Sequence, residues 1–202
     1  MLQAKQMRNE KRIGLYGGAF DPVHCAHLAI AQAAFDQLEL DRLVFIPAAQ
    51  SPLKGHLSFV SDSSRLKMLA LAIEGAPQFS VDAWELERGG VSFTIDTVRH
   101  YRAREPEAEL FWIIGADQFE QLDCWRSIEE MVTLVTFAVS ARPAHTVHAP
   151  DISGLKFRLI DAPLMDHSST AIRDRLANGD SVAGSLPESV EAFISAHQLY
   201  TQ

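Results

Sequence analysis

The stretch 17-GGAFDPVHCAHL-28 follows the short apolar run 12-RIGLY-16, and its reading decides the fold. Arg12–Tyr16 reads as a buried strand, and His27–Leu38 as a helix with Leu28, Ala31 and Phe35 on one face. Between them, Gly17 and Gly18 let the backbone turn sharply and approach a ligand, because no Cβ intervenes. Pro22 fixes its own φ and pushes Asp21 towards an extended conformation. A helix beginning near His24 aims its free N–H groups at the same space, a natural seat for phosphate. His24 and His27, spaced i and i+3, then project from one face of the first turn and can donate hydrogen bonds to phosphate oxygens.

Working outward, apolar β-rich runs alternate with segments of helical period. Arg42–Pro47 reads as a strand, Ala48–Val60 as a loop, and Ser61 or Asp62 as the cap of a helix reaching Ile73. That helix carries Leu66, Leu69, Ala70 and Ile73 at helical spacing. Phe79–Glu85 alternates like a strand, Gly89-Gly90 marks a loop, and Thr94–Arg104 is helical. Leu110–Ile114, Val132–Ser140 and Lys156–Ile160 read as three further strands, and Ser168–Leu176 and Pro187–His197 as two closing helices. Gly179 suits the exit from the first of these, and Pro187 the first turn of the second. Apolar strands interleaved with helices imply a doubly wound α/β domain with a mostly parallel sheet and C-terminal helices. Such sheets bind ligands beyond the carboxyl ends of their strands, where the opening motif lies.

A chain of 202 residues, 47% hydrophobic and 22% charged, has the make-up of one globular domain. Residues 1–11 are expected to be a loose tail and 12–202 a single domain. The formal net charge of −8 argues against broad binding to nucleic acid or an anionic membrane surface. Small anions remain possible partners where local cations and amides converge. Cys25 and Cys124 form no CxxC, so reduced thiols in a cytoplasmic protein are expected. No apolar run approaches the roughly 18 residues of a membrane span, and MLQAKQMRNEKR has no apolar core of a secretory leader.

A metal reading of His24 and His27 needs a third or fourth ligand. Asp21 or Cys25 could be proposed, but Cys25 falls on another side of the helix, and no protein metal site is assigned. The alternative of two ordinary helix-start histidines stays open for the pair alone.

With GGxFDPxHxxH as its first landmark, the sequence resembles the nucleotidyltransferase superfamily marked by HxGH, distantly shared with class I aminoacyl-tRNA synthetases. Within it, the chain is similar to the bacterial nicotinate-nucleotide adenylyltransferase family from about Arg12 to Tyr200. Further landmarks are RLKMLALAI at 65–73, ELERGGVSFTIDTV at 85–98, WIIGADQF at 112–119, Trp125, HSSTAIRDRL at 167–176 and PESVEAFISAHQLY at 187–200. The resemblance implies a Rossmann-like nucleotidyltransferase fold. It implies adenylyl transfer from ATP to nicotinate mononucleotide, giving deamido-NAD and pyrophosphate, with Mg²⁺ carried mainly by the ATP phosphates.

Carried over position by position, the resemblance makes His24 and His27 the ATP-phosphate ligands. Gly17, Gly18, Ala19 and Phe20 would lie along the nucleotide. Ser168, Ser169 and Thr170 would form a second anion seat, and Arg173 would reach the β- and γ-phosphates. Gly115 and Asp117 would hold adenosine, and Lys54 the substrate phosphate. Thr94 and Trp125 would border the pyridine, with the amides of Ile95 and Arg126 receiving its carboxylate. Each has a plainer alternative: helix capping for Ser168 and Asp117, a solvated surface for Lys54 and Arg173, core packing for Trp125. Three positions depart from the family pattern: Ala26 replaces the HxGH glycine, Leu53 a histidine, and His167 an apolar residue. Use of nicotinamide mononucleotide or another phosphate acceptor, or a non-catalytic nucleotide-binding module, are the competing readings. Monomer and homodimer are both left open.

Overall fold

The computed structural model describes residues 10–52, 58–141, 147–163, 165 and 167–201. Among these, β1 (Arg12–Gly18), β2 (Arg42–Pro47), β3 (Phe79–Val81), β4 (Glu109–Gly115), β5 (Thr136–Ser140) and β6 (Phe157–Ile160) form one sheet. The strand order is β3-β2-β1-β4-β5-β6. The pairs β1/β4, β4/β5 and β5/β6 run parallel, with Leu15 opposite Trp112 and Ile113 opposite Ala138. The order reverses at β1/β4, where open α/β sheets offer a crevice at the strands' carboxyl ends. The helices are α1 (Cys25–Gln37), α2 (Asp62–Ala72), α3 (Trp84–Arg88), α4 (Thr94–Arg104), α5 (Ala116–Phe119), α6 (Ile128–Leu134), α7 (Ser169–Ala177) and α8 (Glu188–Ala196). A single 3₁₀ turn at Leu122–Cys124 follows α5. The expected mostly parallel, Rossmann-like α/β fold with closing helices is therefore present. Of the tail expected at 1–11, only Glu10 and Lys11 are described; the Lys11 carbonyl accepts from the Glu109 amide at 2.8 Å, extending the β1/β4 pairing.

The described chain divides into two compact units. One holds the chain up to Gly17, Ile30–Val44 and Phe93–Ala162; the other holds Gly18–Ala29, Phe45–Ser92 and the chain from Pro163 onward. In the first, Ile13, Leu15, Leu110, Ile113, Phe137 and Val139 are buried, as expected of strands covered on both faces. Gly17 is small for a packing reason. A Cβ there would stand 2.6 Å from the indole ring of Trp112, itself buried on β4. In the second unit, Phe20, Phe45, Met68, Leu69, Val190 and Ile194 are buried. Among the described residues, no helix is long and apolar enough to cross a membrane.

Two expected strands are corrected. The strand expected over Phe79–Glu85 stops at Val81, because Asp82 Oδ1 accepts the Trp84 amide at 2.9 Å and turns the chain into α3. The strand expected over Val132–Ser140 begins only at Thr136; α6 takes up the preceding apolar run after a left-handed turn at Ser127 (φ 56°). Helix faces shift as well. Helix α1 buries Ala31 and Ala34, with Leu38 buried just past its end, and leaves Leu28 and Phe35 half-buried. Helix α2, capped by Ser61 Oγ on the Ser64 amide, buries Arg65, Met68 and Leu69, while Ala70 is exposed.

Replacing Gly17 by alanine should destabilise the protein by about 2 kcal/mol, because the Trp112 ring must be displaced from a packed core. Denaturant unfolding measures this, and wild-type stability in Gly17→Ala would contradict the packing role.

Candidate active site

The turn after β1 is fixed by side chains remote in sequence. Its tightest residue is Phe20, in the left-handed region at φ 48°, rather than either glycine. Gly18 admits the Phe20 ring, which a Cβ would meet at 3.0 Å. That ring is buried, edge-on to His27 with centroids 5.0 Å apart and to Phe45 at 5.6 Å. Below the turn, the wholly buried Arg65 donates from Nη1 to the Ala19 carbonyl at 2.8 Å and from Nη2 to Asp62 Oδ1 at 2.6 Å. Sequence reasoning missed Arg65. The signal was its place three and four residues before Met68 and Leu69, on the buried stripe of α2.

Asp21, also buried, joins the turn to three other segments. Its Oδ1 accepts the Tyr200 hydroxyl at 2.6 Å, its Oδ2 the Phe59 amide at 2.6 Å, and its carbonyl Arg173 Nη1 at 2.7 Å. Ser169 Oγ donates to the Pro22 carbonyl at 2.9 Å. Ser168 caps α7 through the Ala171 amide at 3.1 Å, and Thr170 Oγ1 accepts Arg173 Nη2 at 3.2 Å. The hydroxyl of Ser168 thus performs the capping alternative, while Arg173 is half-buried and doubly anchored. These groups border a cavity of about 130 Å³ lined by Ala19, Asp21, Gln50, Ser169, Thr170 and Arg173.

His24 precedes α1, and His27 lies in its first turn. Their rings stack with centroids 3.7 Å apart and planes 24° from parallel. The His24 amide donates to His27 Nδ1 at 3.2 Å, so neutral His27 carries its proton on Nε2. The Cys25 amide donates to the Ser185 carbonyl at 2.9 Å. Two amides expected to face a phosphate are thus engaged within the protein. Burial, with a smaller contribution from the charge of His167, lowers the His24 pKa to about 4. His24 is therefore neutral at pH 7, and its Nδ1 is buried without a partner. Ala26, at the position of the HxGH glycine, packs its methyl out of solvent.

Gly17, Thr94, Ile95, Gly115, Asp117, Trp125 and Arg126 lie in the other unit, Gly17 next to last in β1. Gly115 ends β4 and caps α5 by backbone alone; a Cβ there would meet nothing within 4 Å. Asp117 is exposed in the first turn of α5 and is not its N-cap. Thr94 and Ile95 open α4, where helix geometry leaves amides without intrahelical partners. Arg126 lies over the ring of Phe93, the N-cap of α4, at 4.6 Å, which brings the Trp125–Arg126 turn beside Thr94 and Ile95. Trp125 donates its own amide to the Leu122 carbonyl at 2.9 Å, while its Nε1 is buried without a partner. Lys54 and Leu53 lie outside the described residues. Among the described residues, no group of three or more His, Cys, Asp and Glu side chains is arranged to hold a metal ion.

Residues 15–175 match the model of the cytidylyltransferase-like family. The chain is 44% identical to a probable nicotinate-nucleotide adenylyltransferase of Opitutus terrae, over 94% of this chain and 97% of that protein. It is 44% identical to one of Bordetella petrii, over 94% of this chain and 99% of that protein. The chain belongs to the nicotinate-nucleotide adenylyltransferase family. The fold agrees: a Plasmodium falciparum nicotinic acid mononucleotide adenylyltransferase complexed with NaAD superposes with a TM-score of 0.80 over 95% of this chain and 98% of that one, at 18% identity.

The neutral state of His24 makes a pH prediction. Its folded pKa near 4 lies below the unfolded value of 6.5, so unfolded chains bind the proton first as pH falls. The stabilisation is complete above pH 6.5 and lost between there and pH 4, by up to about 3 kcal/mol. His24→Asn should lose correspondingly less stability over that window in denaturant titrations at pH 7 and pH 4. Equal losses in the two proteins would contradict the assignment.

Proposed function

We propose that this protein transfers the adenylyl group of ATP to nicotinate mononucleotide, releasing pyrophosphate and forming deamido-NAD. A phosphate oxygen of the mononucleotide attacks the α-phosphorus of ATP, and the bond from that phosphorus to the bridging oxygen of the β-phosphate breaks. The nucleophile is already an anion, so no general base is needed. Catalysis consists of aligning two anions and stabilising charge on the leaving pyrophosphate.

The observation that carries this reading is the His24–His27 pair. An imidazole whose Nδ1 accepts a backbone N–H presents a fixed Nε2–H donor even when uncharged. In this reading His27 contacts the reacting phosphate, and His24 aligns it. Ser168, Ser169, Thr170 and Arg173 receive the β- and γ-phosphates, and Gly18, Ala19 and the Phe20 backbone border the nucleotide. Gly17 borders the nucleotide beside Gly18, Gly115 and Asp117 serve the adenosine, and Lys54 the acceptor phosphate. Thr94 and Trp125 serve the pyridine, with the Ile95 and Arg126 amides set to receive its carboxylate. An amide substrate would turn N–H donors towards those amides and leave them unpaired.

Mg²⁺ enters this reading as the counter-ion of the triphosphate, neutralising its charge. The protein's donor set fits an ion held by phosphates and water. Asp21, the one acid among the described residues of the cavity wall, has both carboxylate oxygens engaged by Tyr200 and Phe59. We further propose that residues 12–202 act as a single catalytic domain in the cytoplasm.

Pyrophosphate release from purified protein, ATP and nicotinate mononucleotide tests the reaction. Product is expected from wild type, and His27→Ala should lose roughly 100- to 1,000-fold in kcat with its fold intact by circular dichroism. ATP binding without product would overturn the reaction, and a wild-type rate in the variant would overturn the role of His27.

A further inference from the structure

Near the C-terminus, Gln198 (φ 51°) and Tyr200 (φ 63°) both take up left-handed backbone, which costs free energy for non-glycine residues. The conformation delivers the Tyr200 phenol to Asp21 Oδ1 at 2.6 Å, across 179 residues of chain. Burial, reinforced by the hydrogen bond to Asp21, pushes the phenol far above its usual pKa, so it stays a donor. With Oδ1 occupied by Tyr200, Asp21 is fixed in the rotamer whose Oδ2 receives the Phe59 amide at 2.6 Å. The Phe59 ring in turn lies under the Arg173 guanidinium at 4.1 Å, and the Asp21 carbonyl takes Arg173 Nη1 at 2.7 Å. The contacts close a loop: Asp21 grips Arg173 directly through its carbonyl and indirectly through Phe59, and Tyr200 sets Asp21.

We propose that Tyr200 is a positioning residue for the reaction, acting through Asp21 and Phe59 to aim the Arg173 guanidinium at the phosphate site. This rests on the role proposed above for Arg173. Tyr200 touches no substrate in this account, and its hydroxyl is the only part of it that matters to turnover. A phenylalanine keeps the ring and its packing but frees Oδ1, so that Asp21 can rotate and the Phe59–Arg173 stack loses its fixed base.

The test is a double-mutant cycle on steady-state kinetics with Tyr200→Phe, Arg173→Ala and the double variant. Tyr200→Phe should lower kcat by about 10-fold, the size of one lost hydrogen bond expressed in the rate. KM for ATP and for the acceptor should stay within about 3-fold, because Arg173 acts on the leaving group. In the Arg173→Ala background the same change should cost nothing further. Asp21→Ala, which removes the acceptors of both the Tyr200 hydroxyl and the Phe59 amide, should lower kcat at least as much as Tyr200→Phe. A wild-type kcat in Tyr200→Phe, or losses that multiply in the double variant, would overturn the proposal while leaving the reaction intact. A wild-type kcat in Arg173→Ala would instead overturn the role of Arg173. Should Tyr200→Phe fold poorly, Asp21→Ala combined with Arg173→Ala gives the same cycle.

Discussion

A guanidinium with no solvent exposure, that of Arg65, holds the carbonyl of Ala19, and the architecture of the turn after β1 depends on that grip. A buried arginine is tolerable only when its charge is paired and most of its donors are used; here Nη1 and Nη2 are engaged and Nε has no partner. Asp62, one turn earlier on the same helix, supplies the charge, and the turn after β1 supplies the carbonyl. The requirement runs in both directions. Arg65 needs an acceptor at Ala19, and the turn needs a clamp, because Phe20 sits in a strained backbone region. Once Ala19 and Phe20 are fixed, Asp21 is delivered to Tyr200 and Phe59, and His24 and His27 follow at the head of α1.

This order of assembly explains how an acidic chain, net −8, can serve anionic ligands. Arg173 is anchored by neutral dipoles, the backbone carbonyl of Asp21 and the hydroxyl of Thr170. The histidine pair is held with His24 uncharged, so the stacked rings do not repel. Donors fixed before the ligand arrives need no reorganisation as charge moves in the transition state. For a transfer between two phosphates, that is where most of the rate must come from.

Much of the fold was legible because its strands are long apolar runs with clear punctuation. Arg42–Pro47 and Thr94–Arg104 stand within the bounds that the pattern implied, and β4 exceeds its expected run by one residue at each end. The failures share a cause. An apolar run such as MVTLVTFAVS carries no period that separates the end of a helix from the start of a strand. There the left-handed Ser127 and the β5 pairing decide, and both are tertiary facts. Helix α1 misled because its buried face is lined by alanines, which the larger Leu28 and Phe35 outweigh in any periodicity. At the candidate site, His24, His27, Ser168–Thr170 and Arg173 were visible as motif letters. Their supports, Arg65, Asp21 as a hub, Phe59 and Tyr200, were not, because each acts through a contact made across many residues of sequence.

The central claim is that the histidine pair is set by the turn before any substrate binds. Ring ¹⁵N chemical shifts of the ligand-free protein, followed from pH 7 to pH 5, test it most directly. The account predicts His27 locked as the Nε2–H tautomer at pH 7, and His24 neutral throughout, in keeping with its pKa near 4. Averaged tautomers for His27, or a His24 that titrates at the ordinary value of about 6.5, would contradict it.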